Sequence, residues 1–251
     1  FVQDTLFVDS NYLIFSNKKN KLNFYHTINE NNNSVFGFIN FDLIFNKKDW
    51  SLEKNTKPKL IFDYNLKEYN AHDISFINNN QKIKIDISNL ENQSNYNLLF
   101  SDVNLNSFTN ENSSIVFDGV IDGGVSFLKK NEIYSGNSTL LISNLKSNSK
   151  DLGDAIFKLN ASDDSSEIEL DFKIINDKKE TLGLFGNFSI QENFYPLNLT
   201  LKTKDFSIVP FSKIGKNVII EFEGLFNSEI TITGNSKNPN FYGNIQTTNL
   251  A

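Results

Sequence analysis

Side chains that could catalyse a reaction or bind a metal are few in this sequence, and their spacing suits neither task. The two histidines, His26 and His72, are far apart and there is no cysteine, so neither a zinc-type ligand spacing nor a histidine-based triad can be written. Glu167, Glu169 and Asp171 alternate along one predicted strand and therefore share one side of it. A glycosidase needs two carboxylates that face each other across a cleft. We therefore expect no enzyme, no metal and no cofactor.

One acidic pair, Asp163 and Asp164, is the closest approach to a calcium site. Both residues lie in a serine-containing stretch at positions 163–166. Calcium takes about six to eight oxygen ligands, and a short run of Asp and Ser is typical of an ordinary turn. We interpret this pair as a turn rather than a cation site.

The charge and composition exclude several classes of protein. The net charge is −6, and the basic residues are 24 scattered lysines without any arginine, which argues against a surface that binds nucleic acid. Hydrophobic residues make up 39% of the chain and include 24 phenylalanines, so an apolar core can form. The lack of cysteine suits an oxidising compartment. No apolar run approaches the ~20 residues of a membrane-spanning helix, and the chain reads as a fragment of a longer protein.

Apolar and polar residues alternate along most of the chain, which predicts strands with one apolar and one polar face. The runs with this pattern are 60–66, 83–87, 155–161, 168–174, 182–190, 197–201, 218–222 and 230–232. Clusters of Asn, Asp and Ser separate them and predict turns at 31–33, 78–80, 163–166, 176–179 and 235–240. Strands joined by short turns indicate an antiparallel meander. A short helical turn is expected near 210–216 at most.

The sequence also repeats itself. Asp102 to Leu105 is matched later by Asp205 to Ile208, and Phe117 to Ile121 is matched by Phe222 to Phe226. Such repetition indicates similar units that stack and share a core. We predict one unit over residues 34–142 and a second over 143–251, with 1–33 as the end of a preceding unit.

The stripe of alternating apolar residues has two interpretations. It can fill the inside of a closed β-sandwich or barrel. It can also form the inner face of an open sheet that stays available to acyl chains. Most antiparallel sheets pack a core with their apolar face, and alternation by itself does not separate the two.

Short motifs follow one another in a fixed order through the second half of the sequence. They are Leu152 to Ile156, the strand at 168–174, Thr181 to Phe188, the strand at 197–201, Asp205 to Ile208, Phe222 to Gly224, Ile230 to Gly234 and Asn238 to Gly243. This order resembles the C-terminal region of the TamB family, the translocation and assembly module proteins of Gram-negative envelopes. The earlier part fits a preceding unit, so the likeness begins near residue 34, and the Asn- and Phe-rich sequence is similar to Bacteroidetes members. Pro239 stands where the family has a proline, whereas the first copy departs from the pattern with Ile133-Tyr134.

The resemblance implies both a fold and a role. The fold is all-β, a long antiparallel meander curved into an open groove (β-taco-like), with two related units stacked. The role is that of a segment of a periplasm-spanning hydrophobic groove, which carries phospholipid between the inner and outer membranes and supports outer-membrane protein assembly. The implied partners are phospholipid acyl chains, a TamA-like outer-membrane barrel, and the inner membrane through an anchor outside this fragment. The implied location is the periplasm of a Gram-negative bacterium.

Under this resemblance the alternating apolar residues are the candidate lining of the groove. They are Leu60, Phe62, Ile83, Ile85, Ile87, Phe157, Leu159, Ile168, Leu170, Phe172, Ile174, Leu182, Leu184, Phe188, Leu197, Leu199, Leu201, Val218, Ile220, Phe222, Ile230 and Ile232.

The alternative from another class is a structural or adhesive cell-surface β-protein that binds glycans or partner proteins. It would have a closed β-sandwich core. It would also expose a patch of aromatic residues, for which the candidates are Tyr12, Tyr25, Trp50 and Tyr69.

Overall fold

The computed structural model describes residues 5–15, 18–46, 48–109, 113, 115–131, 133–161, 167–189, 196–209 and 224–248, and of residues 9–15, 18 and 19 the backbone alone. Strands account for most of these residues, together with one turn of 3-10 helix at Leu105–Ser107. The strands are β1 (Leu6–Phe15), β2 (Lys18–Ile28), β3 (Ser34–Phe45), β4 (Lys48–Leu52), β5 (Lys59–Phe62), β6 (Tyr69–Asn78), β7 (Gln81–Leu90), β8 (Gln93–Asn104), β9 (Phe117–Lys130), β10 (Ile133–Ser147), β11 (Lys150–Ala161), β12 (Glu167–Asn176), β13 (Lys179–Ser189), β14 (Leu197–Ser207), β15 (Leu225–Asn235) and β16 (Asn238–Thr248).

The described strands pair in the order of the chain. The order runs from β1 to β4 and then from β6 to β16, and the short strand β5 pairs with both β3 and β6. The pairings among β1 to β8 and among β10 to β16 are all antiparallel. The predicted all-β antiparallel meander is therefore confirmed. Within the described residues no helix is long and apolar enough to cross a membrane.

The chain divides into two compact units. Unit 1 comprises Phe1–Val103 and Gly124–Asn131, and unit 2 comprises Asn104–Gly123 and Glu132–Ala251. Strand β9 therefore contributes its first half to unit 2 and its second half to unit 1. This division follows compactness and not sequence similarity, so the predicted repeat units at 34–142 and 143–251 stay a prediction.

Two-residue turns with positive φ join consecutive strands in unit 2. Asn148 and Ser149 between β10 and β11 have φ of 49° and 66°, and Asp177 and Lys178 between β12 and β13 have φ of 48° and 65°. Positive φ at both central residues is the type I′ hairpin turn, whose twist matches that of the flanking strands. The turn predicted at 176–179 is thereby confirmed, and these turns set the register of β10 to β13.

Asp or Asn residues with positive φ also occur inside strands, where each precedes a buried apolar residue. The pairs are Asp73 with Ile74, Asp102 with Val103, Asn144 with Leu145, and Asp205 with Phe206. At two of these positions a side chain on the neighbouring strand accepts the backbone N–H. The Asn144 N–H donates to the Asp154 carboxylate at 2.9 Å, and the Asp205 N–H donates to the side-chain oxygen of Asn227 at 2.9 Å. These bulges insert one residue and turn the following apolar side chain back to the buried face.

The bulges and glycines coincide with the sequence repeat. Asp102 and its match Asp205 have φ of 52° and 47°, and Gly119 and its match Gly224 have φ of 142° and 153°. Unusual backbone conformations thus recur at matched positions, which supports a repeated arrangement of strands.

The strand predicted at 60–66 is shorter than the alternation indicates. β5 ends at Phe62, and the Asp63 carboxylate accepts the backbone N–H of Asn65 at 3.1 Å and of Glu68 at 2.7 Å. These bonds fold residues 63–68 into a loop, because an Asp side chain can replace the backbone acceptors of a strand. Tyr64 and Leu66 are consequently exposed.

Candidate functional site

The strand register of unit 2 places the predicted lining residues on one face. Directly paired residues of antiparallel strands point to the same side of a sheet. Between β11 and β12 the apolar pairs are Phe157 with Phe172 and Leu159 with Leu170. The same face continues into β13, where Phe172 pairs with Leu184.

The face extends on both sides of these three strands. Leu184 pairs with Leu201 of β14, which pairs with Ile230 of β15. On the other side, Phe157 pairs with Leu140 of β10. All the described lining candidates in unit 2 lie on this surface, the unit 2 apolar face: Phe157, Leu159, Ile168, Leu170, Phe172, Ile174, Leu182, Leu184, Phe188, Leu197, Leu199, Leu201, Ile230 and Ile232.

The pairs form four rows that cross the strands. The first row is Ile142, Ala155, Ile174, Leu182, Thr203 and Ser228. The second row is Leu140, Phe157, Phe172, Leu184, Leu201 and Ile230. The third row is Leu159, Leu170, Gly186, Leu199, Ile232 and Phe241. The fourth row is Ala161, Ile168, Phe188 and Leu197.

The opposite face of unit 2 is polar. Lys158 pairs with Asp171 across β11 and β12, and Lys202 forms an ion pair with Glu229 at 2.9 Å across β14 and β15. Glu169 is exposed there. The contrast between the two faces is the one that alternation predicts, and it leaves the rows of the apolar face without a charged side chain.

The unit 2 apolar face is closed at its first-row end. Leu145, Leu152 and Phe206 pack in one cluster with Ala155 and Ile174 of the first row. Leu105, Phe117, Ile142, Phe172 and Leu182 pack against this cluster and are partly buried. Ile174 is 4% exposed and Ala155 1%, so this end of the face is a packed core.

The middle of the same face is less buried. Phe157, Leu159, Leu184, Leu199 and Leu201 are half-buried. Leu170 at 9% exposure is the most buried member of the second and third rows within β11 to β13. In the fourth row Ala161 and Ile168 are again buried, at 4% and 6%. On β11 the half-buried Phe157 and Leu159 therefore lie between the buried Ala155 and Ala161, whereas on β12 Phe172 alone of the four rows is half-buried.

Unit 1 has an apolar face of its own, on which the other described candidates lie. Leu60 pairs with Ala71, which pairs with Ile87. Ile83 and Ile85 precede Ile87 at alternate positions and share its side of β7. Phe62 is two residues from Leu60 on β5 and shares this side. The sequence thus predicted these five positions on a common face correctly.

Aromatic rings crowd the unit 1 apolar face. The Phe36 ring centroid lies 5.9 Å from that of Phe24, 4.7 Å from that of His26 and 6.0 Å from that of Phe62. Phe41 lies 6.0 Å from Phe38. Such spacings are those of attractive ring pairs, so this face is filled in part by its own side chains.

Sequence reasoning missed several members of both faces. Leu140 and Ile142 of β10 were missed because the run around them reads Thr-Leu-Leu-Ile-Ser and does not alternate. Phe241 was missed because it directly follows the segment predicted as a turn, 235–240, whereas β16 begins at Asn238. The turn predicted at 235–240 is confined to Ser236 and Lys237. The backbone N–H groups of Lys237 and Asn238 donate to the Asn235 side chain at 3.0 and 2.9 Å.

Some predictions fall on residues that the structure does not describe. They are the lining candidates Val218, Ile220 and Phe222, the acidic pair Asp163 and Asp164 with its predicted turn, and the helical turn expected near 210–216.

The candidate chemical residues lie apart. The His26 ring lies 4.7 Å from the Phe36 ring in a tilted arrangement. His72 Nδ1 lies 3.6 Å from Asp86 Oδ1 at a partly exposed position. Glu167 and Glu169 are exposed on the polar face. In the described part of the chain no group of three or more His, Asp or Glu side chains could hold a metal ion.

The aromatic residues named for an adhesive surface are not exposed together. Trp50 is buried at 4% exposure. Tyr25 and Tyr69 are half-buried, and the described backbone of β1 carries Tyr12.

Comparison of the sequence with protein-family models gave no match, and comparisons with characterised proteins and with solved structures likewise gave none. The resemblance to the TamB family is therefore neither supported nor opposed by these comparisons and stays a prediction.

Proposed function

We propose that this chain is a segment of a hydrophobic surface that carries phospholipid across the periplasm between the inner and outer membranes, and that it supports outer-membrane protein assembly. The proposal combines the resemblance to the TamB family with the geometry of the unit 2 apolar face. It is a transport role without catalysis.

One observation carries the proposal. The second and third rows run without a charged side chain from β10 or β11 to β15 or β16, and most of their members on β11 to β15 remain half-buried. A packed core would be expected to seal such residues as it seals Ile174. An uncharged, incompletely covered surface of this kind suits acyl chains.

The energetics favour such a surface as a path for lipid. Moving one methylene group from water to apolar surroundings is favourable by about 0.8 kcal/mol of free energy. A lining without hydrogen-bonding partners does not fix a chain at one position, so an acyl chain can slide along it. A continuous lining therefore lowers the cost of moving a lipid through the aqueous periplasm.

The location and the partners belong to the same proposal. We infer a periplasmic location, an inner-membrane anchor on another part of the protein and a TamA-like barrel in the outer membrane. These inferences rest on the family resemblance.

Site-specific photocrosslinking in growing cells tests the proposed function. A photoreactive residue replaces Leu184 or Leu199 on the apolar face, and Glu169 on the polar face provides the control. Phospholipid adducts at Leu184 and Leu199 but not at Glu169 are the expected result. A folded protein without lipid adducts at either apolar position would overturn the proposal and favour a closed core, as in the adhesive alternative.

A further inference from the structure

Strand β16 forms an edge of the sheet. It stands last in the strand order and, among the described strands, pairs with β15 alone. All 11 of its residues, Asn238–Thr248, are exposed, and the large side chains of Phe241, Tyr242 and Ile245 are 63%, 62% and 60% exposed. An edge strand presents unpaired backbone N–H and C=O groups to which another strand can bind.

The features that usually protect such an edge are few on β16. Native edge strands commonly carry charged side chains, prolines or a β-bulge. No charged residue occurs between Asn238 and Thr248, and the pairing of β16 with β15 has no register shift. Pro239 lies beside the hairpin turn, so residues 240–248 follow without an interruption of this kind. This edge is therefore suited to pairing with a further strand.

Pro239 also identifies the backbone groups that face away from β15. It pairs with Gly234, and because it has no N–H, this pair cannot exchange both hydrogen bonds of the ladder. Hydrogen-bonded and non-hydrogen-bonded pairs alternate along antiparallel strands. Phe241, Gly243 and Ile245 therefore also direct their N–H and C=O groups to the free edge.

The sequence of β16 is complementary to itself about Gly243, its central residue. Antiparallel pairing of two copies centred there places Gly243 opposite Gly243 and Phe241 opposite Ile245 of the second copy. On the other side of the strand, Tyr242 lies opposite Asn244 of the second copy. Apolar side chains thus meet apolar ones, and no like charges oppose each other.

We propose that two copies of this chain form a dimer by antiparallel pairing of β16 with β16 about Gly243. The copies are related by a twofold axis, so the contact is closed. Directly paired residues share one side of a sheet, which places the unit 2 apolar faces of both copies on the same side. The second row reaches Gly243 through Ile230 and meets the second row of the other copy. The inference goes beyond the proposed function and depends on no ligand.

Sedimentation velocity of the purified chain between about 1 μM and 1 mM tests the dimer. One pair of strands buries less than the roughly 1,600 Å² of a standard interface, so we expect a monomer–dimer equilibrium that depends on concentration. Phe241→Lys combined with Ile245→Lys places like charges opposite each other and should weaken association about tenfold or more. Phe241→Lys combined with Ile245→Glu places opposite charges in both pairs and should restore it.

The charge exchange reports the register of the pairing. Within one copy, residues four apart on a strand are about 13 Å apart, so the Lys and Glu side chains find close partners only across the dimer. Tyr64→Lys combined with Leu66→Lys is the control, because both side chains are exposed, at 91% and 71%, and lie far from β16 in sequence. This control should leave the association unchanged.

Circular dichroism confirms that each variant is folded, and Tyr242 and Asn244 take the same substitutions if a variant of the first pair is not. A monomer at every concentration would overturn the proposal, and so would equal weakening by the Tyr64 and Leu66 control, which indicates general apolar association. Failure of the Lys–Glu variant to restore the dimer would overturn the pairing about Gly243. Species larger than a dimer would also overturn it, since they indicate head-to-tail pairing of β16 with β1.

Discussion

The apolar faces of the two units are built differently. In unit 1 the face is aromatic, and Phe36 alone makes ring contacts with Phe24, His26 and Phe62. Register shifts interrupt it between β2 and β3 and between β6 and β7. In unit 2 the face is mainly aliphatic, and its register shifts, in the pairings of β10 with β11, β12 with β13 and β14 with β15, lie beyond the first row at the closed end.

The difference indicates how a sheet can either fill its own face or leave it available. Large rings reach across neighbouring strands and cover the surface from which they rise. Leucine and isoleucine in unbroken register form straight rows with a groove between them. We therefore expect aromatic rings to cover more of the unit 1 face than aliphatic side chains cover of the unit 2 face.

The largest effect is expected from Gly186→Val in unit 2. A Cβ atom at Gly186 would lie 2.1 Å from the carbonyl oxygen of Asn198, and φ is 137°. We expect a loss of about 4 kcal/mol in the free energy of unfolding. In unit 1, Gly124→Ala is the control. A Cβ atom at Gly124 would lie no closer than 3.3 Å to another atom, the Leu98 backbone oxygen, so we expect a loss below about 1 kcal/mol there. Urea denaturation measures both, and equal losses would show that the unit 2 backbone is not constrained at Gly186.

The next effect distinguishes the closed end of the unit 2 apolar face from its half-buried middle. Ile174→Ala leaves a cavity in the packed cluster and should lower the free energy of unfolding by about 3 kcal/mol. Leu199→Ala removes a half-buried side chain and should cost about 1 kcal/mol. The same denaturation experiment applies. A larger loss at Leu199 than at Ile174 would mean that the middle of the face is itself a tightly packed core.

A smaller effect compares the aromatic contacts of the two units. Phe36→Leu removes three ring contacts in unit 1 and should lower the free energy of unfolding by about 2 kcal/mol. Phe157→Leu in unit 2 removes one ring contact, with Phe172 at 6.4 Å, and should cost about 1 kcal/mol. Thermal unfolding of both variants measures the difference. The comparison of the units would fail if Phe157→Leu proved the more damaging.

The sequence predicted the faces better than the places where they are closed. Alternation assigned Leu184 and Leu199 to one face because the side-chain period of a strand is two. It did not find Leu140, since Leu140 to Ile142 are all apolar and either face could be the buried one. Register with β11 decides between them.

Other features depend on contacts between distant residues. The cluster of Leu145, Leu152 and Phe206 follows from bulges at Asn144 and Asp205, and an isolated Asp or Asn in a strand carries no visible sign of a bulge. The loop after Phe62 was missed for a related reason, because the Asp63 side chain replaces the strand pairing that alternation predicts. Strand propensity and alternation indicate where a strand forms, whereas side-chain hydrogen bonds such as those of Asp63 determine where it ends.

The smallest effect is a local response to pH in unit 1 that unit 2 should lack. The backbone N–H of Glu68 holds the pKa of Asp63 below its usual value. Desolvation opposes this effect, and the backbone N–H groups of Asn65 and Lys67 and the charge of Lys67 add to it. A carboxyl group with a lowered pKa stabilises the folded loop above its unfolded pKa of about 3.9, and this contribution is lost as the pH falls through the folded pKa. Amide hydrogen exchange should therefore show protection of Glu68 decreasing below about pH 4. In unit 2 the uncharged Asn235 side chain accepts the N–H groups of Lys237 and Asn238, so their protection should not change over this range. Asp63→Asn should remove the pH dependence at Glu68, and a dependence that persisted in this variant would assign it to another group.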